Sequence, residues 1–187
     1  MLLLEDNAIF SGMENSFKVI AITSPLFIED EGKKISEILI QGRADLVHIR
    51  KPDSKIENVR LLIESIPEKL HPRLKLHDHF DLLDSFSLGG VHLNVRNPII
   101  KKQGISVSRS FHSLEELENS CSYEYVTLSP IFDSISKTGY TSKFKLEQLK
   151  DYIKGKRVIA LGGVTPEKFD ILRETGFYGA AMLGYFW

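Results

Sequence analysis

The sequence predicts a (β/α)₈ TIM barrel, a closed ring of eight parallel strands with helices outside it. Short apolar runs alternate with amphipathic stretches from Phe17 onward, and polar side chains gather directly after the runs. Such alternation is typical of a parallel sheet covered by helices. Eight strands favour a closed barrel over an open sheet. The strand-like runs are 18–23, 45–50, 74–78, 90–93, 105–108, 125–129, 158–161 and 180–183.

Five stretches between these runs have the periodicity of amphipathic helices. Ser113 and Glu116 have the spacing of a capping box, in which each side chain accepts a hydrogen bond near a helix start. Thr165 followed by Pro166 predicts an N-cap and a proline at the first helical position. The predicted helices span 31–41, 54–66, 113–120, 145–154 and 165–175.

Two connections are irregular, and they account for the short length. The chain has 187 residues, whereas such barrels rarely have fewer than about 200. The strand after residues 90–93 follows with little room for a helix, and no helical pattern follows the eighth strand before Trp187. We therefore expect a compact barrel, abbreviated after strand four and lacking the helix after strand eight. The barrel would then leave the flank of strands one and eight uncovered. We expect either that the chain is a truncated product or that a partner, for example a second copy in a homo-oligomer, covers this flank.

The domain prediction has two parts, an irregular N-terminal extension at 1–16 and one barrel domain at 17–187. The 24 basic and 25 acidic residues leave a formal charge of −1. This balance argues against a general electrostatic affinity for nucleic acid or an anionic membrane. No window approaches the ~20 apolar residues of a membrane span. The single cysteine, Cys121, fits a reducing compartment, so we expect a cytoplasmic protein.

Candidate functional residues lie at the carboxyl ends of the predicted strands, where parallel α/β folds place their chemistry. His92 also lies at a strand end, but its apolar neighbours are more typical of a hydrogen-bonded core histidine than of a catalytic one. A transition-metal site is an alternative for a histidine cluster, but no HxxxH or HExxH spacing supports zinc. The candidates are His48, Arg50, His77, Asp78, Ser110, His112, Ser134, Ser136, Lys137, Gly162, Gly163 and Gly184.

These residues together predict a site for a phosphorylated or pyrophosphorylated small molecule. Gly162 and Gly163 let the backbone approach a ligand, and the helix start after them favours phosphate. Arg50 offers a planar fork of donors, and Lys137 offers a point charge. The hydroxyls of Ser134 and Ser136 add donors. Asp78 is the carboxylate directly at a strand end, so it is the candidate Mg²⁺ ligand.

Six segments in order resemble the thiamine phosphate synthase family, which includes the TenI-type thiazole tautomerases. The resemblance covers about residues 17–186. Residues 48–50 resemble its Gln/His-x-Arg segment, residues 77–78 its Asn-Asp pair, residues 90–93 its GVHL strand, and residues 110–113 its Ser-x-His-Ser/Thr segment. Residues 125–137 resemble its YVGLGPIYPT-x-TK run, and residues 158–164 its VVAIGGI strand.

The resemblance implies an enzyme that couples hydroxymethylpyrimidine pyrophosphate to thiazole phosphate and releases pyrophosphate. It assigns pyrophosphate binding to Arg50, Ser110, Ser134, Ser136 and Lys137, and Mg²⁺ to Asp78. The backbone at Gly163 and Gly184 would hold the thiazole phosphate. His48, His77 and Gly162 are expected beside the substrates, and Arg50, Lys137 and His112 are the expected catalytic residues.

Departures from the family pattern leave alternatives open. Pro52 replaces a lysine, for which Lys51 is a candidate substitute. Asn97 aligns with a second Mg²⁺ carboxylate, and an amide there should weaken metal binding. A thiazole tautomerase with His112 as acid or base fits nearly as well, since histidine suits proton transfer at neutral pH. A barrel that binds phosphorylated ligands without turnover is the third alternative.

Overall fold

Eight parallel strands form a closed barrel in chain order, with the eighth strand paired to the first. The computed structural model describes residues 17–133, 142 and 144–187. The predicted N-terminal extension at 1–16 lies outside this part of the chain. The strands are β1 (Lys18–Ile22), β2 (Leu46–Ile49), β3 (Leu74–Leu76), β4 (Val91–Leu93), β5 (Val107–Phe111), β6 (Val126–Leu128), β7 (Val158–Leu161) and β8 (Gly179–Met182).

The predicted barrel is confirmed, and all eight predicted runs contain or overlap a strand. The fifth strand begins two residues later than predicted and extends to Phe111. Its inward-facing residues Ser108 and Ser110 are polar, so the apolar pattern ends before the strand does. Short strands suffice here because each one pairs with a neighbour on both edges.

Helices cover the barrel unevenly. The α-helices are α1 (Glu31–Ile40), α2 (Ile56–Glu64), α3 (Leu146–Ile153) and α4 (Phe169–Thr175). The predicted helix at 113–120 is instead a 3₁₀ segment, Glu115–Ser122, and the start of the predicted helix at 165–175 is a 3₁₀ turn, Pro166–Lys168. Further 3₁₀ segments, Glu68–Arg73 and Phe80–Asp84, flank β3.

The predicted capping box is confirmed, although it begins a 3₁₀ segment. The Glu116 carboxylate accepts hydrogen bonds from the backbone N–H groups of His112, at 2.5 Å, and Ser113, at 3.1 Å. The Ser113 hydroxyl accepts one from the Glu116 N–H at 3.4 Å. These bonds fix the turn that follows β5, because they satisfy N–H groups that lack helical partners.

The apolar core has an outer layer between strands and helices and an inner layer within the barrel. The inner layer consists of Ile20, Ile22, Tyr125, Ile159 and Ala181. The outer layer contains Ile35, Ile38 and Leu39 of α1, together with the outward side chains of the strands. The rest of the barrel interior is polar, so buried polar and titratable side chains lie directly below the rim.

The two predicted abbreviations are present. Residues 94–106 between β4 and β5 contain no helix, and residues 183–187 follow β8 without one. The expected uncovered flank is wrong, however. Outward residues Ala21 and Ala180 are fully buried, Phe186 is 3% exposed, and the Trp187 indole donates to the Ile22 carbonyl at 2.5 Å. Small outward side chains leave a flank that two aromatic rings can fill. No described helix is long and apolar enough to cross a membrane.

Because β8 pairs closely with β1, we expect a small substitution in β8 to lower the stability of the fold. A methyl group at Gly179 would run into the Lys18 carbonyl and approach the Ile159 side chain. Gly179→Ala should therefore lower the free energy of unfolding in urea by about 1–3 kcal/mol. Gly184→Ala is the matched control, since a methyl there meets no heavy atom within 4 Å. Equal stability of the two variants would contradict this account of closure.

Candidate active site

The carboxyl ends of β2, β3 and β4 bring two arginines and a buried carboxylate together. Asp78 is buried, and its Oδ1 accepts hydrogen bonds from Arg96 Nη2 at 3.1 Å and Asn97 Nδ2 at 2.9 Å. Its Oδ2 is buried and has no hydrogen-bond partner within the described part of the chain. A buried carboxylate oxygen without a donor is costly, which makes this atom a candidate ligand contact.

A short turn holds Arg96 and Asn97 in place. The Asn94 side-chain oxygen accepts hydrogen bonds from the backbone N–H groups of Arg96, at 3.0 Å, and Asn97, at 3.2 Å. Asn side chains commonly stabilise turns in this way. The Asn97 amide also donates to the His77 carbonyl at 3.0 Å. The turn therefore fixes the backbone of the segment that contacts Asp78.

The donor set around Asp78 does not fit a Mg²⁺ ion held between two protein carboxylates. A hard cation needs oxygen ligands, but Asn97 presents its N–H₂ to Asp78. Arg96 adds a positive charge at the same oxygen. Asp78 keeps one oxygen for a ligand, whereas this arrangement gives no support to Asn97 as a weak metal ligand.

Arg50 is half-buried, and its guanidinium makes no hydrogen bond or ion pair with another described residue. Its backbone is fixed, because its N–H donates to the Thr23 hydroxyl at 2.9 Å. Burial and the nearby charge of Arg96 lower the pKa of Arg50, while Asp78 and Asp53 oppose the shift. Arg50 remains a cation, so it is a positioned charge with free donors.

Lys51 does not replace the family's missing lysine. Its ammonium is buried and donates to both Glu31 carboxylate oxygens, at 2.7 and 2.8 Å. It also donates to the carbonyls of Ser24 and Leu26, and it lies 4.5 Å from the centre of the Phe27 ring. Lys51 therefore ties β2 to the segment before α1 and has no donor left for a substrate.

Three histidines form a buried cluster inside the barrel below this rim. His48 Nδ1 shares a hydrogen bond with His77 Nε2 at 2.9 Å, and His48 Nε2 shares one with the Tyr125 hydroxyl at 2.6 Å. The rings of His77 and His92 stack with their centres 4.4 Å apart. His48 and His77 are almost inaccessible to solvent, so their contacts with substrate stay predictions. In the structure, their hydrogen bonds support the rim from below.

His92 is the core histidine that its neighbours indicated. Its Nδ1 shares a hydrogen bond with the Ser108 hydroxyl at 2.9 Å, and its Nε2 shares one with the Ser110 hydroxyl at 2.8 Å. Burial, followed by the charge of Lys75, lowers the pKa of His92 to about 3. Burial also lowers the pKa of both His48 and His77 well below the ordinary value, and the other histidines add to the shift. All three rings are therefore neutral near pH 7.

The cluster is the one group in the described residues whose ligand atoms lie close enough to hold a metal, within 4.8 Å of one another. Its geometry favours a hydrogen-bonded network instead. The planes of His77 and His92 are only 25° apart, whereas ligands of one ion must direct their lone pairs to a common point. Both nitrogens of His48 and of His92 already have partners.

Lys75 and Tyr125 complete the polar interior, and sequence reasoning missed both. The buried Lys75 ammonium donates to Ser106 Oγ and Glu124 Oε2, each at 2.6 Å. It lies 4.8 Å from the centre of the Tyr125 ring, and burial raises the pKa of Tyr125. The signal was available, because Lys75 and His77 are two apart in a strand and so face the same side.

The opposite part of the rim presents backbone N–H groups. Gly162 and Gly163 have φ values of 92° and 61°, which favour glycine. The N–H groups of Gly163 and Gly184 make no hydrogen bond to another described residue. Ser110 is partly exposed between the two halves of the rim, with its hydroxyl on His92. This half therefore offers unpaired donors for an anion.

His112 is exposed on the rim after β5. Its Nδ1 lies 3.2 Å from the Ser129 carbonyl oxygen and 3.1 Å from the Ser129 hydroxyl. A carbonyl only accepts, so this contact favours a proton on Nδ1 and leaves Nε2 free for proton transfer. The remaining predicted residues, Ser134, Ser136 and Lys137, lie outside the described residues.

Comparison with known proteins identifies the family. A sequence model described as thiamine monophosphate synthase matches residues 19–185. The chain belongs to this family. The resemblance expected from the sequence is thereby confirmed, as is the barrel fold that it implies.

Individual relatives agree with this assignment to the thiamine monophosphate synthase family. The chain is 36% identical to thiamine phosphate pyrophosphorylase from Bacteroides thetaiotaomicron, with a TM-score of 0.78 over 90% of this chain and 83% of that one. It is 29% identical over 164 residues to a putative thiamine-phosphate synthase 2 of Aquifex aeolicus, covering 81% of this chain and 87% of the relative. Thiamine phosphate pyrophosphorylase from Pyrococcus furiosus, at 19% identity, shares the fold with a TM-score of 0.73 over 90% of this chain and 86% of that one.

The neutral histidines predict that stability falls on acidification. Unfolded His92 takes up a proton below pH 6.5, whereas the folded ring does so only near 3. Its contribution is therefore fully present above pH 6.5 and declines as the pH falls towards 3. At pH 5 the loss is about 2 kcal/mol for this histidine, as measured by urea unfolding at pH 7 and pH 5.

Two variants separate titration from packing. His92→Gln should reduce this pH dependence, because one titrating group is gone. Ser108→Ala removes a hydrogen-bond partner of His92 but keeps the imidazole, so its pH dependence should match the parent protein. A His92→Gln variant with an unchanged pH dependence would show that the buried ring is not the source.

Proposed function

We propose that the chain is a thiamine phosphate synthase-like transferase of thiamine biosynthesis. It couples hydroxymethylpyrimidine pyrophosphate to thiazole phosphate and releases pyrophosphate. The observation that carries the proposal is the family match over residues 19–185. The rim supports it, because cationic and backbone donors lie on two separate parts of one barrel mouth.

The two parts of the rim suit two phosphorylated substrates. Arg50 lies at the end of β2 with free guanidinium donors beside Asp78, which suits the pyrophosphate. The N–H groups of Gly163 and Gly184 at the ends of β7 and β8 suit the thiazole phosphate. Ser110 lies between them. Ser134, Ser136 and Lys137 remain predicted pyrophosphate ligands.

The proposed reaction breaks the bond between the pyrimidine methylene carbon and the pyrophosphate oxygen. The bonding electrons leave with pyrophosphate, and Arg50 stabilises the charge that develops on it. The thiazole nitrogen then donates its lone pair to the methylene carbon and forms the new C–N bond. The buried histidine network holds the inner wall of the site without adding charge near the carbocation.

Thiamine phosphate synthases in general use Mg²⁺. In this chain we propose that Asp78 Oδ2 is the single protein carboxylate oxygen open to such an ion. Asn97 contributes an amide where a second carboxylate would add charge. Mg²⁺ dependence should accordingly be weaker than at a site with two carboxylates.

A thiazole tautomerase is the second candidate, and the geometry of His112 favours it. The contact with Ser129 leaves His112 Nε2 free at the rim, where a ring nitrogen can move a proton on a bound thiazole. This reaction needs no pyrophosphate-binding arginine. A barrel that binds the same ligands without turnover is the third candidate.

The deciding assay supplies hydroxymethylpyrimidine pyrophosphate, Mg²⁺ and each thiazole phosphate tautomer to the purified protein, with thiamine phosphate as the readout. The synthase proposal predicts product. Arg50→Ala should weaken pyrophosphate binding by about 2–5 kcal/mol, because it removes a partly buried charge from the anion. Arg43→Ala, on the surface beside Phe186, is the matched control and should leave product formation unchanged.

The other outcomes distinguish the alternatives. Tautomer interconversion that is lost in His112→Ala, without thiamine phosphate, would replace the synthase by the tautomerase. Thermal stabilisation by the substrates without either product would identify a binding protein. Cytoplasmic location and homo-oligomerisation stay predictions.

A further inference from the structure

Arg96 is a charged residue of the rim that the family pattern does not explain. It precedes Asn97, the position where the pattern has a second metal carboxylate. We propose that Arg96 is a second cation of the pyrophosphate site and supplies charge neutralisation that a metal would otherwise provide. This inference rests on the proposed transferase function and concerns the same site.

Hydrogen bonds fix the position of Arg96 beside Asp78. Its Nε and Nη2 lie 3.3 and 3.1 Å from Asp78 Oδ1, and the Asn94 side chain fixes its backbone N–H. A guanidinium has five N–H donors in a fixed plane, and these contacts use only two nitrogens. The side chain is 42% exposed, so the remaining donors can reach a ligand at the rim.

The charges around Asp78 favour a multivalent anion. Arg96 contacts Asp78 directly, and Arg50 follows β2, which is paired with β3, the strand that precedes Asp78. Asp78 pairs directly with Arg96, whereas Arg50 makes no ion pair with a described residue and has the longer-range attraction of Asp78 and the exposed Asp53, so its guanidinium donors are available to an anion. Two like charges near each other are unfavourable in a partly buried site unless an anion joins them. Pyrophosphate has the charge and the spaced oxygens to contact both forks.

Asn97 strengthens the case because it removes the competing arrangement. An aspartate at this position would place a second negative charge beside Asp78, which would attract a divalent cation and could also pair with Arg96. The amide instead donates to Asp78 Oδ1 at 2.9 Å. Arg96 and Asn97 together place two arginines and a single strand-end carboxylate, Asp78, at this part of the rim, an arrangement suited to pyrophosphate with less need of a metal.

The test is calorimetric titration of the full chain with inorganic pyrophosphate, in EDTA and in Mg²⁺. The protein should bind pyrophosphate in EDTA. Arg96→Gln should weaken that binding at least tenfold, equal to about 1.4 kcal/mol. Arg173→Gln is the matched control, because Arg173 also pairs with an aspartate, Asp170 at 2.9 Å, but lies on α4; its affinity should stay within about twofold of the parent.

A second variant tests the inference by restoring a carboxylate next to Arg96. Asn97→Asp should weaken binding in EDTA and raise the stimulation by Mg²⁺, since it restores a second carboxylate. Thermal melting of each variant confirms that it is folded. This variant keeps the test decisive if Arg96→Gln does not fold.

The remaining results each overturn the inference, and they separate it from the proposed function. Binding that requires Mg²⁺, with no effect of Arg96→Gln, would refute the role of Arg96 and leave the transferase proposal standing. Binding in EDTA that Arg96→Gln does not change would do the same. No pyrophosphate binding under either condition would refute both.

Discussion

Closure of the barrel between β1 and β8 is the constraint on which the site depends. Four residue pairs join these strands, from Lys18 with Gly179 to Ala21 with Met182. Because all eight strands are parallel, closure places every carboxyl end on one rim. Without it, the N–H groups after β7 and β8 would not face the arginines after β2 and β4. Gly179 therefore contributes to the site through closure, because a Cβ there would run into the Lys18 carbonyl.

The polar interior is the second determinant, since buried polar groups must find partners inside the barrel. His48, His77 and His92 meet this requirement as neutral rings, with partners that include Tyr125 and Ser108. Neutral rings avoid placing three further cations below Arg50 and Arg96. The histidine network therefore supports the rim without adding positive charge below the proposed anion site.

Sequence patterns were sufficient for the strands, because apolar alternation and strand ends are local properties. They failed where tertiary contacts decide. β5 continues through the polar residues Ser108 and Ser110, which share hydrogen bonds with His92 on the neighbouring β4. Lys51 is paired with Glu31, twenty positions away. Arg96 was missed because it pairs with Asp78, which follows a different strand, β3. Asp78 and Asn97 were correctly brought together by the family pattern, but only the structure shows which atom of the amide faces the carboxylate.

The central claim is that Arg96, paired with Asp78, and Arg50, which forms no ion pair with a described residue, together receive the pyrophosphate. A crystal structure of the protein with pyrophosphate and thiazole phosphate tests it most directly. The account predicts pyrophosphate oxygens within about 3.2 Å of guanidinium nitrogens of both Arg50 and Arg96, with the thiazole phosphate on the N–H groups of Gly163 and Gly184. Pyrophosphate bound elsewhere on the rim, with Arg96 still directed only at Asp78, would contradict it.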